Sequence, residues 1–162
     1  ESWLSVIGVN LEEQLEYIVD SCPVILAKDP RSGHAKIASE LCEKSYNSSQ
    51  KEWYYGIKLH AIVARRPGHL PVPVSLMASG AAQHNLPAAK QIVDNHAALK
   101  PGRLYADKAY IDASWAQSLK QNHALELLTP RKKHKGDILV SGDTFSIFVS
   151  SVRSPLSVSS TG

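Results

Sequence analysis

Two aspartates set in otherwise apolar surroundings are the residues of this chain best placed to do chemistry. Arg103-Leu104-Tyr105-Ala106-Asp107-Lys108-Ala109-Tyr110 follows the breaker pair Pro101-Gly102, runs apolar and closes on a carboxylate. That is the pattern of a buried strand presenting an acid at its C-terminal edge. Far upstream, Leu15-Glu16-Tyr17-Ile18-Val19-Asp20-Ser21 repeats it, with Asp20 where solvation is poor. If the two strands are neighbours, Asp20 and Asp107 face one another. Two carboxylates in a partly buried spot repel, and they persist as a charged pair only with a cation between them. Mg²⁺, which takes carboxylate and phosphate oxygens alike, is the simplest such cation.

The elements that must position this pair follow from periodicity. Leu4, Ile7, Leu11, Leu15 and Ile18 recur at spacings of three and four, predicting an amphipathic helix over roughly the first 16 residues. Pro23 is expected to shorten or end the strand that holds Asp20. Residues 27–50 are polar and punctuated by Asp29-Pro30, Arg31-Ser32-Gly33 and Asn47-Ser48-Ser49, which reads as an insertion over the sheet edge with one short helix anchored by Ile37 and Leu41. From Trp53 to Arg66 the odd positions Trp53, Tyr55, Ile57, Leu59, Ala61 and Val63 are apolar. They predict a strand whose other face presents Lys58 and His60, about 7 Å apart. Pro67-Gly68 turns the chain into a second hairpin strand, with Leu70, Val72, Val74 and Leu76 alternating against Pro71 and Pro73. Its prolines confine it to an edge. Asn85 caps a helix with Leu86, Ala89, Ile92, Val93 and Ala97 as its stripe; Asp112 caps another with Trp115 and Leu119 at i and i+4. Residues 124–129 read as a last strand, stopped by Pro130. Strands alternating with helices in this way pack as an α/β fold with a mixed sheet of about five strands and flanking helices, and ligands bind beyond the C-terminal ends of its parallel strands.

At 162 residues, with 43% hydrophobic and 20% charged content, the chain is about one soluble domain with a core. No apolar run approaches the roughly 20 residues of a membrane span, and no charged-then-apolar leader opens the chain; an intracellular, cytoplasmic protein without a membrane partner is expected. The chain begins at Glu1 inside an expected helix, as an excised or partial domain would. Cys22 and Cys42 form no CxxC pair and are expected to be small buried thiols. Net charge is only +3, but Arg131-Lys132-Lys133-His134-Lys135 is a dense basic run and Arg65-Arg66 sits in a turn. Such clusters neutralise phosphates. Beyond Phe145-Ser146-Ile147-Phe148-Val149 the chain is serine-rich and has too little apolar surface to order itself.

Four stretches, Ile18-Val19-Asp20-Ser21-Cys22-Pro23-Val24, Tyr54-Tyr55-Gly56-Ile57-Lys58-Leu59-His60, Ser79-Gly80-Ala81-Ala82-Gln83-His84-Asn85 and Tyr105-Ala106-Asp107-Lys108-Ala109-Tyr110, occur in the order in which bacterial insertion-sequence transposases carry similar segments. Over residues 15–135 the chain resembles their DDE catalytic domain, of the ribonuclease H-like fold. The resemblance implies a catalytic domain over residues 1–136 and a degenerate, partly disordered tail over 137–162. By it, Asp20 and Asp107 are the first and second catalytic aspartates, each ligating Mg²⁺ or Mn²⁺ in a two-metal site. Lys58, His60, His84, Arg131, Lys132, Lys133 and Lys135 are candidate DNA contacts. The family's third acid, a glutamate, follows a segment like Arg153-Ser154-Pro155-Leu156, where this chain has Ser157. The domain is therefore expected to be incomplete, by truncation or frameshift. Among other late acids, Glu126 falls in a strand, Asp112 fits a cap, and Asp137 and Asp143 fall in a loop.

The resemblance implies metal-dependent cleavage and transfer of DNA strands, impaired here by the missing acid, with transposon ends and target DNA as partners and a homo-oligomer as a compatible assembly, in a bacterial, nucleoid-associated setting. Two rivals stand beside it: another ribonuclease H-like nuclease, and a non-catalytic nucleic-acid-binding remnant of the same fold.

Overall fold

The computed structural model describes residues 15–48, 50–67, 69–95, 99–131, 149 and 151–152. Its first strand, β1 (Leu15–Lys28), opens on Tyr17, Ile18 and Val19, all fully buried. Three consecutive buried residues mean that both faces of the strand are covered, as in a parallel sheet flanked by helices. β2 (Glu43–Asn47), β3 (Glu52–Ala64), β4 (Val72–Gly80), β5 (Gly102–Tyr105) and β6 (Leu125–Leu128) follow, with helices α1 (Asn85–Asn95) and α2 (Ala113–His123) among them. The strands form one mixed sheet in the order β2-β3-β1-β5-β6, with β4 paired to β3. This is the expected α/β architecture, with six strands in place of about five. The described residues divide into two compact units, Glu1–Ile18 with Ala64–Val72 and Ala98–Gly162, and Val19–Val63 with Pro73–Ala97.

In the first unit, β1 pairs parallel with β5 from Leu15↔Gly102 to Ile18↔Tyr105, and β5 pairs parallel with β6 from Gly102↔Leu125 to Tyr105↔Leu128. Parallel neighbours need a crossover, and α2 supplies it between β5 and β6. Asp112 starts α2 by accepting the Trp115 N–H at 3.0 Å, Trp115 and Leu119 bury its inner face, and Ala124 closes it in the left-handed conformation at φ 52°. The close fit of β1 on β5 depends on Gly102. A Cβ there would lie 2.0 Å from the Leu15 carbonyl oxygen, far inside van der Waals contact, and the obstacle is backbone that cannot swing aside.

In the second unit, β2 runs antiparallel to β3 from Glu43↔Gly56 to Asn47↔Glu52. α1 buries Ala88, Ala89, Ile92 and Val93, while Leu86 is only half-buried. Several expectations fail here, each for a physical reason. β1 does not stop near Pro23 but continues to Lys28; its backbone at Val24 closes on Gly56, where a Cβ would meet the Val24 carbonyl oxygen at 2.1 Å. No α-helix forms around Ile37 and Leu41, which are exposed; the segment instead contributes a 3₁₀ turn (Arg31–Gly33) and β2. The expected core face of β3 is borne out only in part. Tyr55 and Val63 are buried, but Trp53 is 47% exposed, and Tyr54, His60, Ile62 and Ala64 on the opposite parity are buried as well. In β4 only Val74 of the expected apolar set is buried, and Leu70 and Leu76 face solvent. Cys42 is buried as expected, but Cys22 is exposed.

The helix expected at the start falls on residues 1–14, outside the described residues, and Leu15 and Glu16 already belong to β1. The tail expectation for 137–162 likewise lies outside them, apart from Val149, Ser151 and Val152.

Gly102→Ala is expected to destabilise the fold by about 3 kcal/mol, because a methyl driven into backbone must displace a strand. Urea unfolding followed by circular dichroism measures this.

Candidate active site of a carboxylate-bearing sheet

In the first unit, Asp107 follows β5 by two residues and is only part-buried. Its Oδ1 accepts the Lys108 N–H at 2.6 Å and caps the 3₁₀ turn Lys108–Tyr110, whose Tyr110 is fully buried. The turn cannot swing away without extracting that ring, so the carboxylate is held where the chain leaves the strand. The strand itself is braced by Glu16. Its carboxylate pairs with Arg65, accepts the Tyr105 hydroxyl at 2.9 Å and lies 4.0 Å from Arg103, while its carbonyl accepts the Arg65 N–H at 2.7 Å. Arg103 reaches Glu126 on β6 at 3.8 Å. Burial, and then the hydrogen bond and charge of Glu16, push the Tyr105 phenol above its usual value, so it stays a neutral donor.

In the second unit, Asp20 lies within β1 immediately after buried Val19, and its Oδ1 accepts the Ser21 N–H at 2.8 Å. Lys58 is half-buried and donates to the Gln83 carbonyl at 2.8 Å, and burial pulls its ammonium below the usual lysine value. Gln83 precedes His84, which is exposed just before α1. The structure thus brings Lys58 onto the turn that carries His84.

His60 is corrected. It is 1% exposed, so it is not on an open face beside Lys58 and offers no surface to a phosphate. Its Nε2 lies 2.8 Å from Ser79 Oγ, and that hydroxyl donates to the Gly80 carbonyl at 3.2 Å. Nε2 and Ser79 share one hydrogen bond, and Nδ1 is buried with no hydrogen-bond partner among the described residues, so nothing there receives a second imidazole N–H. Protonating the ring there is costly. Burial, with the Lys58 charge second, lowers the His60 pKa to about 4.

Arg131 is exposed directly after Pro130; Lys132, Lys133 and Lys135 lie outside the described residues, as do Asp137, Asp143 and Ser157. Glu126 is taken up by Arg103 and Asp112 by the α2 cap, as their sequence settings suggest. Ser79, Gln83 and Glu16 went unassigned in the sequence. Ser79 and Gln83 lie in a stretch already singled out, but nothing in one sequence shows which strand they meet. Glu16 had no signal beyond being an acid in an apolar run.

The donor chemistry fits a hard divalent cation, since carboxylate oxygens are what Mg²⁺ and Mn²⁺ select. Among the described residues no three His, Cys, Asp or Glu side chains are grouped to hold a metal. Mg²⁺ commonly binds through one or two carboxylates and completes its shell with water and substrate phosphate.

The family model described as a transposase DDE domain matches residues 12–146. The chain belongs to this transposase family. The match takes in both aspartates and all four of the stretches quoted above. No curated protein matches the chain. Among solved structures, it is similar to one titled as a cryo-EM structure of the piggyBac transposase synaptic complex with hairpin DNA, at 14% identity and a TM-score of 0.48, over 76% of this chain and 24% of that one. The chain therefore spans about a quarter of that neighbour's length. No helix among the described residues of the DDE domain is long and apolar enough to cross a membrane.

A pH dependence follows from His60. An unfolded imidazole takes up its proton near pH 6.5, the buried one only near pH 4, so the unfolded state binds more protons between the two. Stability is expected to be complete above pH 6.5 and to fall by roughly 3 kcal/mol as pH drops to 4. His60→Gln should flatten that part of the profile, as read from urea midpoints at each pH.

Proposed function

We propose that this DDE domain cleaves and joins DNA phosphodiesters, with Asp20 and Asp107 as the carboxylates that hold the divalent metal. The family match over residues 12–146, which takes in both aspartates, carries the reading. Ile18 pairs with Tyr105, and each aspartate comes two residues later along its own chain segment. A bound divalent cation would supply Lewis-acid polarisation of the phosphodiester and activation of the attacking oxygen.

The chain's own groups do the rest. The Ser21 and Lys108 amides each hold one oxygen of an aspartate, which orients the carboxylates before substrate arrives. Lys58, His84 and Arg131, together with Lys132, Lys133 and Lys135, supply cationic or donor groups for the DNA backbone. Contacts of this kind position a duplex without reading its sequence. His60 serves as a buried brace between β3 and β4. The DNA ends and target, a bacterial insertion sequence as source, a nucleoid setting and assembly with a second copy belong to the same reading.

Ser157 occupies the place of the family's glutamate. Loss of a ligand that supplied ~4 kcal/mol of transition-state stabilisation slows the reaction about a thousandfold, so the chain is impaired. The same residue favours a second reading, a DNA-binding remnant that no longer cuts.

Thermal melting with Mn²⁺ separates the two. At about ten times its dissociation constant, a ligand bound only by the folded state contributes ~1.4 kcal/mol, or roughly 3 °C. The expected result is a shift of that size, lost in both Asp20→Asn and Asp107→Asn, with slow Mn²⁺-dependent plasmid nicking that Asp107→Asn abolishes. A shift or nicking rate untouched by either substitution overturns the assignment. A shift without nicking selects the remnant.

A further inference from the structure

The turn between β3 and β4 encloses a cavity of about 390 Å³ in the first unit, lined by Ile18, Arg66, His69, Leu70 and Pro71 among others. We propose that it seats one unpaired nucleotide of DNA, with the phosphate on Arg66 and the sugar and base against Leu70 and Pro71. The proposal rests on the reading of the chain as a DNA-processing domain.

Three observations carry it. First, the two arginines of the turn are not equivalent. Arg65 is committed to Glu16 through both its guanidinium and its backbone N–H, which fixes the turn, whereas Arg66 forms no ion pair among the described residues. A guanidinium in the lining of a cavity is matched to a phosphate, which it grips through two parallel hydrogen bonds. Second, the wall beside it is apolar and exposed. Leu70 is 83% exposed, and the His69 N–H closes the turn on the Arg66 carbonyl at 3.0 Å, so the cationic and apolar parts are held together. Third, the volume lies at the low end of the ~300–1,000 Å³ range of small-ligand sites. A duplex cannot enter it, but a single nucleotide out of the stack can.

The seat adjoins one of the carboxylates. Ile18 in its lining pairs with Tyr105, and Asp107 lies two residues further on, about 7 Å at ~3.3 Å per residue. Arg66 holds the strand by its phosphate.

Fluorescence anisotropy on the full chain tests the seat, using a labelled single-stranded oligo-dT, a duplex of equal length and unlabelled dTMP as competitor. Arg66→Ala is expected to weaken single-strand binding about tenfold and to lower the salt slope by about one. Arg66→Lys, which keeps the charge but loses the fork, should fall between. Leu70→Ser should weaken binding about fivefold with the salt slope unchanged, and duplex binding should change less than twofold in every variant. Melting temperatures equal to wild type confirm that the variants are folded. Single-strand binding unaffected by Arg66→Ala overturns the seat while leaving DNA binding intact. dTMP binding as tight as the oligonucleotide overturns it in favour of a free nucleotide. Wild-type protein that binds neither DNA form overturns this proposal and the DNA reading beneath it.

Discussion

The parallel ladder between the start of β1 and β5 is the constraint from which the remaining geometry follows. Four residue pairs define it, and two devices hold it in place. Gly102 removes the one side-chain carbon that would strike the Leu15 carbonyl. Glu16 gathers Arg65, Arg103 and the Tyr105 hydroxyl around one carboxylate, so that β1, β5 and the segment after β3 are tied at the same level. A slip of one residue would bring a side-chain carbon against the Leu15 carbonyl in place of Gly102 and draw Glu16 away from Tyr105. The register is thus set by a close backbone fit and by a shared anion together.

Asp20 and Asp107 each receive a backbone amide from the next residue, at 2.8 and 2.6 Å, which fixes one oxygen of each carboxylate. Both fall within the family match over residues 12–146. His60, a group that could ionise, is held neutral by burial against Ser79, which keeps a charge out of the interior.

Much of the first unit was legible in the sequence because its signals are local. The breaker pair Pro101-Gly102, the Asp112 cap, the Trp115–Leu119 spacing and the Pro130 stop each act within a few residues, and β5, α2 and β6 fall where these signals put them. The second unit was harder to read because its determinants are distant. β2 has the composition of a loop, Glu43-Lys44-Ser45-Tyr46-Asn47, and becomes a strand only by pairing with β3. Pro23 looked like a stop, yet the strand continues where Gly56 admits the Val24 backbone. In β3 the alternation pointed to one covered face, whereas residues of both parities are buried, because apolar and aromatic residues occur on both sides and only the partners decide what is covered. The two aspartates were visible as acids ending or interrupting apolar runs; the bond between Lys58 and the turn before His84, and the enclosure of His60, required the fold.

The central claim is that one metal is shared by Asp20 and Asp107, and iron-mediated cleavage tests it most directly. Fe²⁺ replaces Mg²⁺ at oxygen sites, and with ascorbate and peroxide it cuts the backbone beside the position it occupies. The account predicts cuts next to both residue 20 and residue 107, mapped by mass spectrometry, that disappear together when Asp107 alone is changed to Asn. Cuts confined to one of the two segments, or a pair of cuts that survives the substitution, would contradict it.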